Sequence, residues 1–258
     1  MRAIEFDYPL IQKTYKVVNR RNLSLYIFNP EDYGANRSVI LFFNGGSFKK
    51  GPLTPTQFQH QAKYFSTLGL VTICVDYRNG HDEKFTPVQA ICDVKSAVRW
   101  VRENSEELGV DPSKVIVCGA SAGGYIAVSS IMFSELDDED NTTDHVPNIL
   151  IVYAAVMDAT DIMTRLFPEL VEISESMSPI HHIKPCLPPT LWMCGTADDD
   201  YDQNKEFTDR MREMGSDIQF TTYEGMEHGF FNYGRHDNIY FERTIREMES
   251  YLRYAGYL

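Results

Sequence analysis

Long apolar runs, paired cysteines and an excess of positive charge are all missing from this chain of 258 residues. No stretch approaches the roughly 20 apolar residues that a membrane helix needs. The longest strongly apolar runs, such as Val39 to Phe43, are strand-sized. At the N-terminus, Met1-Arg2-Ala3-Ile4-Glu5-Phe6-Asp7 puts two acids where a secretion signal needs its apolar region. The expectation is a cytoplasmic protein with no membrane partner. The five cysteines (Cys74, Cys92, Cys118, Cys186 and Cys194) are odd in number and form no C-x-x-C pair. Buried free thiols in a reducing compartment fit that usage better than disulfides or a zinc site. Basic residues number 24 against 37 acidic ones, a formal charge of −13. A surface that acidic repels phosphate backbones and anionic lipid, so nucleic acid is not an expected partner. Linkers rich in Pro, Gly and Ser are also lacking, as are internal repeats. With 43% hydrophobic content, the chain reads as one core-forming domain spanning residues 1–258.

What is present is alternation. Lys13 to Val18 and Leu23 to Phe28, joined by the polar Asn19-Arg20-Arg21-Asn22, form an expected antiparallel strand pair. Further strands are expected at 38–43, 71–76, 114–118, 149–155, 190–194 and 218–223. Helices are expected at about 56–67, 87–106, 122–133, 203–214 and 238–254. In the second of these, Ile91, Val94, Val98 and Val101 recur at three- and four-residue spacing. Apolar runs separated by helices predict an α/β fold: a mostly parallel sheet of eight strands, covered on both faces. The acidic stretch from Glu135 to Asp144 lacks the glycine a calcium loop needs, and reads as a solvated loop. His181-His182 has no acid at ligand spacing, so neither a metal nor a cofactor is expected.

Gly119-Ala120-Ser121-Ala122-Gly123-Gly124 carries the sharpest chemical signal, directly after the strand ending at Cys118 and at the start of a helix. A G-x-S-x-G sequence in that setting reads as a nucleophile elbow. It holds the Ser121 hydroxyl above the sheet edge and leaves the Ala122 N–H at a helix N-terminus. Such a serine needs a base and a group to orient that base. Asp198 lies 77 residues later, just past the strand 190–194, and His228 lies 30 residues beyond it on the loop after the last strand. The order Ser, Asp, His is that of an α/β-hydrolase. Asp200 is a second candidate for the acid, because Asp198-Asp199-Asp200-Tyr201-Asp202 is crowded. Asn44-Gly45-Gly46-Ser47 follows the strand 38–43, where esterases carry a glycine-rich loop; the N–H groups of Gly46 and Ser47 are expected to join that of Ala122 around an oxyanion.

With Asp76-Tyr77-Arg78, Asp93 to Val101, Ser178-Pro179 and His228-Gly229-Phe230 added to these motifs, the chain resembles α/β-hydrolase esterases of the hormone-sensitive-lipase-like and BD-FAE-like (acetyl/feruloyl esterase) groups from about Ser38 to Phe231. The resemblance implies Ser121 as nucleophile, His228 as general base and acid, and Asp198 as its orienter. It departs from the family pattern where Asn44 replaces a histidine; with Gly45, Asn44 is expected to support the loop through amide hydrogen bonds. The insert at about 159–177, with Ile162, Met163, Leu166, Phe167, Leu170 and Val171, suits either a helical lid over the acyl pocket or packing on the main domain. A lid this small points to short-chain esters, such as acetylated carbohydrates or small aryl esters. An arylformamidase and a non-catalytic ligand-binding protein on the same fold stand as alternatives. The aromatic segment Tyr251 to Leu258 suits either a homodimer contact or closure over its own domain.

Overall fold

The computed structural model describes residues 4–32, 34–48 and 54–258; Met1 to Ala3, part of the N-terminal segment weighed above, lie outside these. The described strands are β1 (Ile11–Val18), β2 (Arg21–Phe28), β3 (Arg37–Phe43), β4 (Val71–Val75), β5 (Val110–Ala120), β6 (Ile149–Tyr153), β7 (Thr190–Gly195) and β8 (Ile218–Tyr223). All eight form one sheet in the order β1-β2-β4-β3-β5-β6-β7-β8. Strand β2 runs against both its neighbours, and the other pairings are parallel. The β1–β2 loop is tighter than the four-residue turn expected. Only Asn19 and Arg20 lie between the strands, both at positive φ (48° and 66°), as the right-handed twist of a two-residue hairpin demands.

The helices are α1 (Gln59–Thr67), α2 (Pro87–Glu103), α3 (Ser105–Leu108), α4 (Ala122–Met132), α5 (Thr160–Leu166), α6 (Tyr201–Glu213) and α7 (Ile239–Tyr254). Among these helices the start of α1 and the end of α2 depart furthest from expectation. A 3-10 turn over Pro55–Phe58 precedes α1. The long second helix stops at Asn104, whose side-chain amide donates to the Trp100 carbonyl (2.8 Å) and so competes with the helical backbone.

Strand alternation divides the core. Val39, Leu41 and Phe43 of β3 face the layer containing Ile91, Val94 and Val98 of α2, with Ile126 of α4. Ile40 and Phe42 face Phe58, Ala62 and Phe65 on one side of the sheet, with Ile245, Met248 and Leu252 of α7. Burying each of the larger of these side chains is worth about 1.5–3 kcal/mol. Both layers hold the parallel strands rigid, so their C-terminal ends form a fixed rim.

The segment expected as a solvated acidic loop is instead pinned. Arg99 grips Asp137 (2.6 Å), while Lys16 (2.6 Å) and Arg78 (2.8 Å) grip Asp138. The 159–177 insert folds as α5 followed by 3-10 turns, and its base is closed by Ser178, whose hydroxyl accepts from the Ala159 N–H and donates to the Ser174 carbonyl (both 2.8 Å). At the C-terminus, Tyr257 and Leu258 pack against the α1/α7 layer of this same chain, and Tyr254 stands 94% exposed. Among the described residues, no helix is long and apolar enough to cross a membrane.

Candidate active site

Ser121 occupies the sharp turn between β5 and α4 at φ 53°, ψ −122°, a region that residues with a Cβ rarely enter. Strain of this kind costs on the order of 1–3 kcal/mol and survives only where the surroundings over-determine it. They do so here. The Ser121 N–H donates to the Tyr153 carbonyl at the end of β6, and its own carbonyl accepts from the Tyr125 N–H, both at 2.9 Å. Two residues on, Gly123 allows the helix to pass against β3, where a Cβ would overlap the Phe43 carbonyl oxygen. The hydroxyl therefore sits at the N-terminus of an eleven-residue helix, on the rim built by the parallel strands.

Asp198 and His228 are brought together. The Asp198 side chain is fully buried just past β7, and its Oδ2 accepts from His228 Nδ1 at 2.8 Å. His228 lies on the loop after β8, with its side chain 44% exposed. The two loops are laced to each other: Thr196 Oγ1 accepts from the Gly225 N–H (2.8 Å), and the Ala197 N–H donates to the Met226 carbonyl (3.0 Å). The other oxygen of Asp198 accepts from the Asp200 N–H (2.9 Å). Asp200 itself bonds Gln203 Nε2 (2.8 Å) and makes no hydrogen bond to His228, so of the two candidate acids it is Asp198 that touches the imidazole. That hydrogen bond pushes the His228 pKa above the usual imidazole range, against the effect of partial burial. Burial pushes Asp200 up to about 6, helped by the neighbouring Asp198 charge. Asp198, Asp200 and His228 offer ligand atoms within 4.8 Å of one another, the one such grouping among the described residues. A cation there would compete for the Nδ1 that Asp198 already holds.

The loop after β3 carries three successive positive φ values, at Gly46 (124°), Ser47 (51°) and Phe48 (59°). Asn44 anchors its start: the side-chain amide donates to the Gly45 carbonyl, and the Asn44 carbonyl accepts from the Tyr77 hydroxyl, both at 2.7 Å. Among the described residues, the N–H groups of Gly46, Ser47 and Ala122 donate to no protein acceptor. At the far end of the loop, the Phe48 ring packs on Phe85 (5.7 Å), Tyr125 (6.1 Å) and Phe167 (6.3 Å). Phe167 belongs to the insert, so the insert touches the loop through an aromatic cluster.

Sequence reasoning missed Tyr77 as a loop anchor, along with Gln57 and Asn232, whose amides reach the same loops. Tyr77 lies in the Asp76-Tyr77-Arg78 motif, to which the sequence assigned no role. Asn232 follows His228 by four residues, and nothing in the sequence marks Gln57.

Residues 25–164 match the BD-FAE family. A probable isoprenylcysteine alpha-carbonyl methylesterase of Arabidopsis thaliana is 24% identical over 241 residues, covering 81% of this chain and 48% of its own length. An arylesterase of Saccharolobus solfataricus is 29% identical over 131 residues, covering 51% of this chain and 41% of that protein. The chain thus spans half or less of the curated relatives it matches first. Solved structures agree over nearly the whole chain. Esterase 2 of Thermogutta terrifontis phosphonylated by sarin has a TM-score of 0.90 at 34% identity, covering 96% of each chain. The propionate-bound form has 0.88 at 35%, covering 96% of this chain and 95% of that one. Two independent kinds of likeness, in sequence and in coordinates, meet on the same fold. The chain belongs to the BD-FAE family of α/β-hydrolase esterases.

Proposed function

We propose that the protein is a serine carboxylesterase for short-chain acyl esters, acting through Ser121, His228 and Asp198 by way of an acyl-enzyme. The observation that carries the reading is the strained Ser121 turn, which holds a hydroxyl at a helix N-terminus on the rim of the sheet. In this mechanism His228 Nε2 takes the Ser121 proton while Oγ bonds to the ester carbonyl carbon. The oxygen gains negative charge and rests on the N–H groups of Gly46, Ser47 and Ala122. The bond to the alcohol oxygen then breaks, and that oxygen leaves with the proton from His228. Water, deprotonated by the same imidazole, releases the acid and restores Ser121. Asp198 holds the ring in the tautomer that this cycle needs.

Short acyl groups are supported by the aromatic cluster of Phe48, Phe85, Phe167 and Tyr125, which accords with the small insert serving as a lid over the acyl side of a single domain. They are also supported by the likeness to an esterase seen with propionate and with butyrate bound. Small aryl esters accord with the arylesterase relative. The test is hydrolysis of p-nitrophenyl esters from C2 to C12 by the wild type and by Ser121→Ala. We expect a maximum at C2 to C4 and a loss on the order of 10⁶ in kcat for the variant. Wild-type rates in Ser121→Ala would remove the triad, a maximum at C8 or longer would remove the short acyl site, and faster turnover of N-formylkynurenine would shift the substrate class to formamides.

A further inference from the structure

The loop that carries the proposed oxyanion donors and the loop that carries the histidine are joined by two side-chain amides in series. Gln57, on the 3-10 turn before α1, accepts from the Gly45 N–H through Oε1 (2.8 Å). Its Nε2 donates to Asn232 Oδ1 (2.9 Å), across 175 residues of sequence. Asn232 Nδ2 donates in turn to the Gly229 carbonyl, directly after His228 (2.8 Å). Each amide has one donor and one acceptor group committed, so neither can be flipped without losing two bonds. Beneath the relay lies a run of aromatic rings. Phe58, next to Gln57, stacks on Phe42 of β3 (5.1 Å) and on Phe231, next to Asn232 (6.1 Å). Phe231 stacks on Tyr153 (4.2 Å), the residue whose carbonyl holds the Ser121 N–H. The rings set the backbones, and the amides set the loops above them.

We propose that Gln57 and Asn232 are positioning residues that fix the distance between the oxyanion donors and the catalytic imidazole; the inference rests on the serine esterase reading above. Two effects follow from the geometry. By holding the Gly45 N–H, Gln57 fixes the orientation of the Asn44–Gly45 peptide and with it the entry into the three positive-φ residues that follow. That placement has little slack, since even a Cβ on Gly45 would come within 3.1 Å of the Ser121 Cβ. By holding the Gly229 carbonyl through its side chain and its backbone N–H (3.1 Å), Asn232 fixes the Gly229–Phe230 peptide, one residue beyond the Cα that carries the imidazole. Negative charge on the carbonyl oxygen and positive charge on His228 develop together in the transition state, so both loops must be in register at that moment. The substrate ground state makes no such demand.

The test is a double-mutant cycle with Gln57→Leu, Asn232→Leu and the double variant, read as kcat and KM on p-nitrophenyl acetate at a pH where His228 is neutral, with thermal unfolding alongside. A misplacement of about 1 Å in a reacting group costs on the order of 100-fold. We expect each single variant to lose about 10- to 100-fold in kcat with KM changed less than about threefold. The double variant should lose no more than the worse single one, because a chain of bonds breaks only once. Losses that multiply in the double variant, or a loss in KM alone, would overturn the relay. If the leucine variants do not fold, Gln57→Glu and Asn232→Asp carry the test. The carboxylate of Gln57→Glu keeps the acceptor for the Gly45 N–H but cannot donate to Asn232, and the carboxylate of Asn232→Asp cannot donate to the Gly229 carbonyl. Wild-type kcat in either would overturn the relay while leaving the esterase standing. A wild-type enzyme without esterase activity would instead overturn the reading on which the relay rests.

Discussion

Two carboxylate clusters in this molecule have similar composition and opposite surroundings. In one, Asp93, Asp137, Asp138 and Glu139 meet Lys16, Arg78 and Arg99. Arg78 lies 2.6 Å from Asp93, whose side chain has no exposure, and Lys16 reaches both Asp93 (3.3 Å) and Asp138 (2.6 Å). In the other, Asp198, Asp199, Asp200 and Asp202 crowd one loop where Asp198 alone touches an imidazole, and among the described residues no Lys or Arg pairs with them. The ionisation behaviour separates accordingly. Burial works against the charge on Asp138, but hydrogen bonds from Lys16 and Arg78 outweigh it and hold the carboxyl below its usual range. At Asp200 burial, reinforced by the Asp198 charge, outweighs the opposing pull of His228, and the carboxyl is pushed up to about 6. Charge that is matched in place glues β1, α2 and the acidic loop together. Charge left unmatched biases a neighbouring titration, which is what a general base requires.

The largest effect that sharpens this contrast comes from Asp198→Asn. The amide fills the same volume but cannot hold the imidazole in the required tautomer, so kcat falls about 10⁴-fold. Thermal unfolding near neutral pH should move little, because at that pH the pair contributes through orientation more than through charge. Steady-state kinetics beside a melting curve checks both halves. The converse comes from Asp93→Ala, which strands buried cations and costs about 3–5 kcal/mol of stability. For a chain of this length that lowers Tm on the order of 10 °C, with kcat and KM of the folded protein unchanged. Lost activity without lost stability in Asp93→Ala would erase the distinction between the clusters.

Much of this was legible in the sequence, and the reason differs from element to element. Strands such as Val71–Val75 lie buried on both faces, so a plain apolar run sufficed to find them. The elbow was legible because its chemistry needs glycine on both sides of Ser121 within five residues. His228 was legible from its place after the last strand. The acidic loop was misread because its partners come from β1, from the segment after β4 and from α2, and composition within a window of ten residues carries no trace of them. Gln57 and Asn232 were invisible for the same reason. An amide acquires its meaning from the group facing it, and 175 residues separate these two. Conformations dictated locally were readable, whereas pairings dictated by topology had to be seen.

The smallest effect is the most discriminating, because it asks whether the unmatched charge at Asp200 serves the imidazole. In the proposed mechanism His228 must be neutral to accept the Ser121 proton, so kcat/KM should fall as pH drops through its folded pKa, which the Asp198 hydrogen bond and the charges of Asp198 and Asp200 hold above the usual value. Asp200→Asn removes one of those charges while keeping an oxygen for Gln203. The His228 pKa then falls, and the acid limb of the kcat/KM profile moves to lower pH with the plateau near its wild-type height. Stability moves in step. A carboxyl whose folded pKa is raised contributes stability fully below its unfolded value, near 4, and loses it as pH rises through about 6. The Tm of Asp200→Asn should therefore exceed that of the wild type by a margin that grows between about pH 4 and 7. An acid limb that stays in place would mean that Asp200 is solvent-screened from the imidazole, leaving Asp198 alone to set the titration of the base.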